Sequence, residues 1–343
     1  MTSSMRGLLF FLALPWMAGC VTFHAGAMPG EPRDATYAQI RGVRMRYRDE
    51  GPPDAPAIVM IHGFASSLET WLAVTPSLRD RYRVLSLDLK GFGWTDRPEG
   101  DYSPEAQARG VLALMDERGI DRAAIVAHSY GSSVALQMAL LAPQRVTRLS
   151  LYDAWVYSSQ LPVFFHLARA ESVGEAMFAT WYGERAEDRM ALAFYDQRYV
   201  TMELIDAVDA ALQRPGTYAA ALASVRAMHY ERIESRYREV EQPVLLQWGR
   251  EDRVTPISVG ERLLRDLPDA ELVEHPRCGH FPMIEAIDAS NHRLVEFLDA
   301  GLANGRWSEA TSGGDVPSDS VGVSTAVTPD APSGDVPSDE AAQ

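Results

Sequence analysis

Apolar residues along this chain fall into short, nearly continuous runs separated by longer stretches of mixed polarity. Ile58 to His62, Arg83 to Leu89, Ala123 to His128, Val146 to Tyr152, Val244 to Trp248 and Glu271 to Glu274 each have the length of a strand. Most lack the alternation of a half-exposed strand, as parallel strands covered on both faces do. Between them Pro104 to Arg118, Gly131 to Leu141, Ser258 to Leu267 and Ala286 to Asp299 carry helical patterns. Alternation of strand and helix predicts an α/β fold around a mostly parallel, doubly wound sheet. Tyr37 to Asp49 alternates more evenly and predicts an antiparallel hairpin around Gly42, which makes eight strands.

One stretch breaks the rhythm. Trp155 to Val240 is long, helical in character and rich in aromatics, among them Trp155, Phe164, Phe165, Phe178, Trp181, Tyr182, Phe194 and Tyr195. Because it separates two strands, it is expected to be a helical cap (155–240) over the carboxyl edge of the sheet, where open α/β sheets bind ligands. The sheet-and-helix core is then 35–154 together with 241–301. Val21 to Asp34 has no periodic pattern and reads as part of a tether over 20–34, with a reach on the order of 20 Å. The segment 305–343 repeats itself, Gly314-Asp315-Val316-Pro317-Ser318-Asp319 recurring as Gly334-Asp335-Val336-Pro337-Ser338-Asp339. A Pro/Ser/Asp repeat buries no core, so a disordered acidic tail is expected.

Composition narrows the function classes. The chain has 343 residues, 46% hydrophobic and 23% charged, enough for one large core with an insertion. Its net charge is −15, Lys90 is the only lysine, and no basic cluster is present, which argues against a nucleic-acid partner. The tail contributes seven acidic residues against Arg306 alone, so the sign of the charge says little about a substrate.

The first twenty residues read as an export signal. Arg6 precedes an apolar run from Gly7 to Trp16, which is too short to span a bilayer as a helix. The run leads to Met17-Ala18-Gly19-Cys20. Small residues before a cysteine resemble the lipobox of bacterial lipoproteins, although Met17 stands where leucine is usual. The resemblance implies cleavage after residue 19 and a diacylglycerol on the Cys20 sulfur. The protein would then be exported and anchored to the cell envelope, the outer membrane being the expected site. An ordinary secretory signal or an uncleaved anchor is the alternative. With Cys20 lipidated, Cys278 is a lone thiol.

The strongest chemical signal is Ala127-His128-Ser129-Tyr130-Gly131, between an apolar strand and a helix rich in small residues. A sharp strand-to-helix turn lifts a hydroxyl above the sheet and crowds the positions two before and two after it, which must be small. Ile61-His62-Gly63-Phe64 ends the first parallel strand, and the amides of Phe64 and Tyr130 form a candidate two-donor oxyanion hole. The Gly-rich turn from Asp88 to Pro98 is expected to shape a loop. No His/Cys/Asp cluster has metal-ligand spacing and no phosphate-binding Gly loop is present, so neither a metal nor a cofactor is expected.

With two later segments, Trp248-Gly249-Arg250-Glu251-Asp252-Arg253-Val254-Thr255-Pro256 and Cys278-Gly279-His280-Phe281-Pro282, the sequence resembles the α/β-hydrolase superfamily from about Asp34 to Gly301. By position, the resemblance implies Ser129 as nucleophile, Asp252 as acid, His280 as base, and Phe64 and Tyr130 as oxyanion donors. The chemistry is consistent, since a serine hydroxyl needs an imidazole to take its proton and the imidazole needs a carboxylate to fix its tautomer. His275, at the end of the last strand, is the rival base. Asp153, after the strand ending at Tyr152, is the alternative acid, the place some haloalkane dehalogenases use.

Serine at the elbow argues against dehalogenases and epoxide hydrolases resembling this family, which use aspartate there. A carboxylic-ester hydrolase working through an acyl-enzyme on a largely apolar small molecule is the leading expectation. A carbon–carbon hydrolase of ring-cleavage products is the runner-up. A lipid-anchored binding protein on a lapsed hydrolase fold is the reading from a different class, and the retained triad argues against it.

Overall fold

The structure, a computed structural model, describes residues 21–183 and 186–303. The signal segment, Cys20 and the acidic tail lie outside the described residues. Eight strands form one sheet in the order β1-β2-β4-β3-β5-β6-β7-β8. β1 (Thr36–Ile40) and β2 (Val43–Glu50) make the expected hairpin through Arg41 and Gly42, and β2 runs antiparallel to β4 (Arg83–Leu87). The remaining strands, β3 (Ala57–Ile61), β5 (Ala123–His128), β6 (Val146–Tyr152), β7 (Val244–Gly249) and β8 (Ala270–His275), are parallel to their neighbours.

The apolar runs are explained by two covered faces. In β3, Val59 and Ile61 belong to a core with Ala108, Val111, Leu114 and Val134, from α1 (Pro104–Glu117) and α2 (Tyr130–Leu141). Ile58 and Met60 point the other way, into a second core with Trp71, Leu78, Leu294 and Leu298. Fully burying one such side chain contributes about 1.5–3 kcal/mol, so a strand buried on both faces is held at nearly every residue. β8 is one of the two edge strands, and its exposed Glu271 and Glu274 pair with Arg293 and Arg250, charges that blunt an open strand edge.

Between β6 and β7 the chain leaves the sheet through α3 (Val163–Ala168), α4 (Val173–Met177), α5 (Ala186–Ala193), α6 (Met202–Leu212) and α7 (Thr217–Ala227). After β7 come α8 (Ile257–Asp266), β8, the short α9 (Pro282–Glu285) and α10 (Ile287–Ala303). Helix boundaries fall within a few residues of expectation, the last predicted helix matching α10, while the short α9 before it was not foreseen.

Val21 to Asp34 corrects the sequence reading of a free tether. His24 and Arg97 exchange backbone hydrogen bonds of 2.9 and 2.7 Å, and the Gly26 amide donates to Asp96 Oδ1 at 3.0 Å. Met28 is buried, the Phe23 ring stacks on Tyr102, and Glu31 pairs with Arg44. Isolated apolar anchors and an unpaired backbone edge at Arg97 dock this segment, and neither leaves a periodic trace. Among the described residues, no helix is long and apolar enough to cross a membrane.

Candidate active site

The turn after β5 is as tight as its small residues require. Ser129 has φ 50° and ψ −120°, a left-handed setting that costs a non-glycine residue about 1–3 kcal/mol. The setting is held from both sides: the Ser129 amide donates to Tyr152 at 2.9 Å, and its carbonyl accepts from Trp155 at 3.1 Å. Gly131 is obligatory, because a Cβ there would lie 2.5 Å from the His62 carbonyl oxygen. Although Ser129 precedes the first turn of α2, its hydroxyl does not cap that helix. The hydroxyl is left for other chemistry.

The Phe64 loop lies against this turn. A Cβ on Gly63 would lie 3.2 Å from Ser129 Cβ, and the Phe64 ring centroid is 6.1 Å from that of Tyr130. His62 staples the loop: Nε2 accepts from the Leu89 amide at 3.0 Å, which makes Nδ1–H the donor to the Gly63 carbonyl at 2.7 Å. Burial holds this imidazole below its ordinary pKa, hence neutral. The amide of Tyr130, in the first turn of α2, has no preceding helical carbonyl to bond. The Gly-rich turn is structural, as expected: buried Asp88 accepts from the amides of Leu68 and Trp94 at 2.7 and 2.8 Å.

Asp252 and His280 meet across two loops. His280 Nδ1 lies 2.7 Å from Asp252 Oδ2. Asp252 also accepts from the Val254 and Thr255 amides at 2.7 and 3.1 Å and from the Thr255 hydroxyl at 2.6 Å. Burial opposes its charge, but His280 and these donors outweigh burial and hold its pKa below the usual carboxylate value. The two loops are zipped together. A Cβ on Gly249 would fall 1.8 Å from the Gly279 carbonyl oxygen, and Glu251 and Cys278 are joined by two 3.0 Å hydrogen bonds.

The rival residues are placed elsewhere or differently. His275 bonds Gln247 at 3.0 Å, and burial lowers its pKa to about 4. Cys278 is buried, and burial pushes its thiol pKa far up, which makes it a poor nucleophile. Asp153 stands beside Asp252 and His280: each of the three offers an atom within 4.8 Å of the others. This is the group among the described residues that can hold a metal ion. An ion bound there would compete with the hydrogen bond between His280 Nδ1 and Asp252 Oδ2.

Three residues escaped the sequence reading. His128 Nε2 lies 2.8 Å from the carbonyl oxygen of His280, so the residue before Ser129 holds the base loop. Thr255 clamps Asp252, and its Asp-x-x-Thr spacing was a readable signal. Glu285 accepts from the amides of Gly279, Tyr195 and Asp196 at 2.8, 2.8 and 2.9 Å, joining the base loop to the segment after α5. No local pattern pointed to it. The His280 amide also donates to Ala193, at the end of α5, at 2.7 Å.

Aromatic rings surround the Ser129 turn. Phe64 packs on Phe92, Phe165 and Tyr182 with centroids 5.4, 5.6 and 6.4 Å away, and Trp155 stacks on Phe165 at 5.7 Å. Ser129 and His280 are 3% and 4% exposed, so the chemistry is screened from bulk water.

Comparison with known proteins agrees with this fold. A family model described as alpha/beta hydrolase fold matches residues 56–287. A 2-hydroxy-6-oxononadienedioate/2-hydroxy-6-oxononatrienedioate hydrolase of Cupriavidus pinatubonensis is 31% identical over 74% of this chain and 90% of its own. A protein of the same name from Comamonas testosteroni is 29% identical over 76% and 93%. A solved meta-cleavage product hydrolase from Pseudomonas fluorescens IP01 superposes with a TM-score of 0.65 at 27% identity, covering 77% of this chain and 97% of that one.

Proposed function

The chain belongs to the alpha/beta hydrolase fold family, and on that footing we propose that it is a serine hydrolase with Ser129 as nucleophile, His280 as base and Asp252 as its orienting acid. The observation that carries this reading is the 2.7 Å contact between His280 Nδ1 and Asp252, which leaves Nε2 free to serve Ser129. In the proposed cycle, His280 takes the Ser129 proton as the hydroxyl oxygen attacks the substrate carbonyl. The amides of Phe64 and Tyr130 receive the oxyanion. His280 returns its proton to the departing alkoxide, giving an alcohol and an acyl-Ser129. Water then attacks the acyl-enzyme with His280 again as base, and the acid leaves.

A carboxylic ester with an apolar acyl part is the proposed substrate class. Phe64, Phe92, Tyr130, Trp155, Phe165 and Tyr182 pack on one another beside the Ser129 turn, an aromatic setting that suits an apolar acyl group. The second reading, carbon–carbon bond hydrolysis, is favoured by the names of the relatives at 29–31% identity. A dienedioate carries two carboxylates, and among the six rings the buried Trp155 Nε1–H and Tyr182 hydroxyl are the donors left without a partner to receive one. A fluorophosphonate should label Ser129 in the wild type and nothing in Ser129→Ala. Labelling at another residue overturns the serine reading. Turnover of ring-cleavage dienoates in preference to aryl esters of medium-chain acids overturns the ester reading.

The same proposal extends to location: export, cleavage before Cys20, and a lipid anchor on its sulfur in the cell envelope. Intact-mass spectrometry should find a diacylated Cys20 at the mature N-terminus. An unmodified Cys20 would contradict it.

A further inference from the structure

Asp153 is wholly buried, at φ 44°, directly after β6. Its amide donates to the Gln247 carbonyl at 3.0 Å, and its own carbonyl oxygen lies 3.1 Å from the Thr255 hydroxyl oxygen, whose proton goes to Asp252. Of its carboxyl oxygens, Oδ1 accepts from the Gly249 amide at 2.9 Å. Oδ2 is buried and meets no donor. The titratable groups facing it are Asp252 from the turn after β7, and His280, Cys278 and Glu285 from the loop before α9 and from α9 itself.

Two carboxyl groups this close in a dry pocket do not both ionise. The choice between them follows from their partners. Asp252 accepts from two amides, a hydroxyl and an imidazole, all of which favour its charge. Asp153 accepts from a single amide. The proton therefore stays on Asp153, and the oxygen without a donor is the one that carries it.

We propose that Asp153 is a permanent carboxylic acid whose Oδ2–H donates to the Asp252 carboxylate and holds it in register with His280. This makes Asp153 a positioning residue rather than an alternative acid, and it rests on the Ser129–His280–Asp252 reading. A neutral donor leaves one net negative charge behind the imidazole. It also lowers the basicity of Asp252, which keeps the Nδ1 proton on His280. Burial, then the charge of Asp252, raise the Asp153 pKa well above the ordinary carboxyl value. Were Asp153 to ionise as pH rises, a second negative charge would appear beside Asp252 and the alignment would be lost.

Asparagine tests this directly, because it keeps an acceptor for Gly249 and a donor for Asp252 but has no proton to lose. Asp153→Asn should keep kcat within about threefold of wild type, whereas Asp153→Leu, with neither group, should lose on the order of 10²-fold in kcat with KM little changed. Asp252→Asn should lose about 10⁴-fold. The alkaline fall of kcat in the wild type should be absent from Asp153→Asn. Independently of turnover, difference infrared spectra should show a protonated-carboxyl band in the wild type at neutral pH that is missing from Asp153→Asn. Asparagine as damaging as leucine, an unchanged alkaline limb, or no such band in the wild type overturns the proposal. Fluorophosphonate labelling of wild-type Ser129 separates this outcome from failure of the triad itself.

Discussion

The ring of His128 reaches past Ser129 and places Nε2 2.8 Å from the carbonyl oxygen of His280. Burial, reinforced by the nearby His280, holds the His128 pKa well below its ordinary value, so the ring is neutral and Nε2–H is the donor. One residue thereby sets both partners of the proton transfer, since its backbone leads into the elbow and its side chain holds the base loop. His128→Ala should leave the His280 carbonyl without its donor and the imidazole free to drift. A misplacement of about 1 Å costs on the order of 10²-fold, so kcat should fall by that order while KM changes little. Steady-state kinetics with circular dichroism as a folding control checks this. A KM effect with kcat intact would mean that the ring only fills space.

Glu285 gathers three amides from two segments far apart in sequence. Removing its carboxylate leaves those donors without a partner, at about 1–3 kcal/mol for each one that water cannot reach. Glu285→Ala should therefore lower the melting temperature and reduce kcat on the order of 10-fold, with Glu285→Gln between that variant and the wild type. Thermal unfolding measured beside kcat tests the link. A destabilised variant with full kcat would separate the latch from catalysis.

His275 supplies an acid-sensitive element outside the site. Its folded pKa of about 4 lies below the ordinary 6.5 because burial disfavours the charged ring. The folded state holds it neutral, so its contribution to stability is complete above pH 6.5 and drains away as pH falls towards 4. At about 1.4 kcal/mol per unit the loss is at most about 3.5 kcal/mol. Urea midpoints at several pH values should fall more steeply in that window for the wild type than for His275→Gln. Parallel curves would assign the acid sensitivity to other groups.

Turnover should survive exhaustive chelation, because in the proposed cycle Asp252 is engaged with His280 and acts through that hydrogen bond. Activity lost on chelation and restored by zinc or manganese would place a metal on Asp153, Asp252 and His280.

Legibility in the sequence followed the range of the interactions. Continuous apolar runs marked the strands because burial on both faces of a sheet acts residue by residue. Gly131 was readable because a strand-to-helix elbow demands a small residue there, although the clash itself is with the distant His62 carbonyl, and Gly249 to Asp252 because a turn after a strand aims the carboxylate. The pairing of Asp252 with His280 could be foreseen from the order of their segments. Glu285, the His128 ring and the docking of Gly26 onto Asp96 could not, since each joins residues distant in sequence through a single contact. Asp153 was seen, but as a rival to Asp252. That a buried oxygen lacks a donor is visible only once its neighbours are in place.

The docked segment at the N-terminus bears on how the molecule would sit. His24 lies against both Arg97 and Gly216, the residue before α7, so this strap crosses from the sheet side to the helical layer above it. Only Val21, Thr22 and Phe23 separate Cys20 from that crossing. Even fully extended, the steps from Cys20 to His24 span roughly 14 Å. With a lipid on Cys20, the domain would not swing as a buoy on a line. It would be held at a restricted tilt, with the strap kept within that reach of the bilayer. The direction from which a substrate arrives would then be set by the anchor as much as by the pocket.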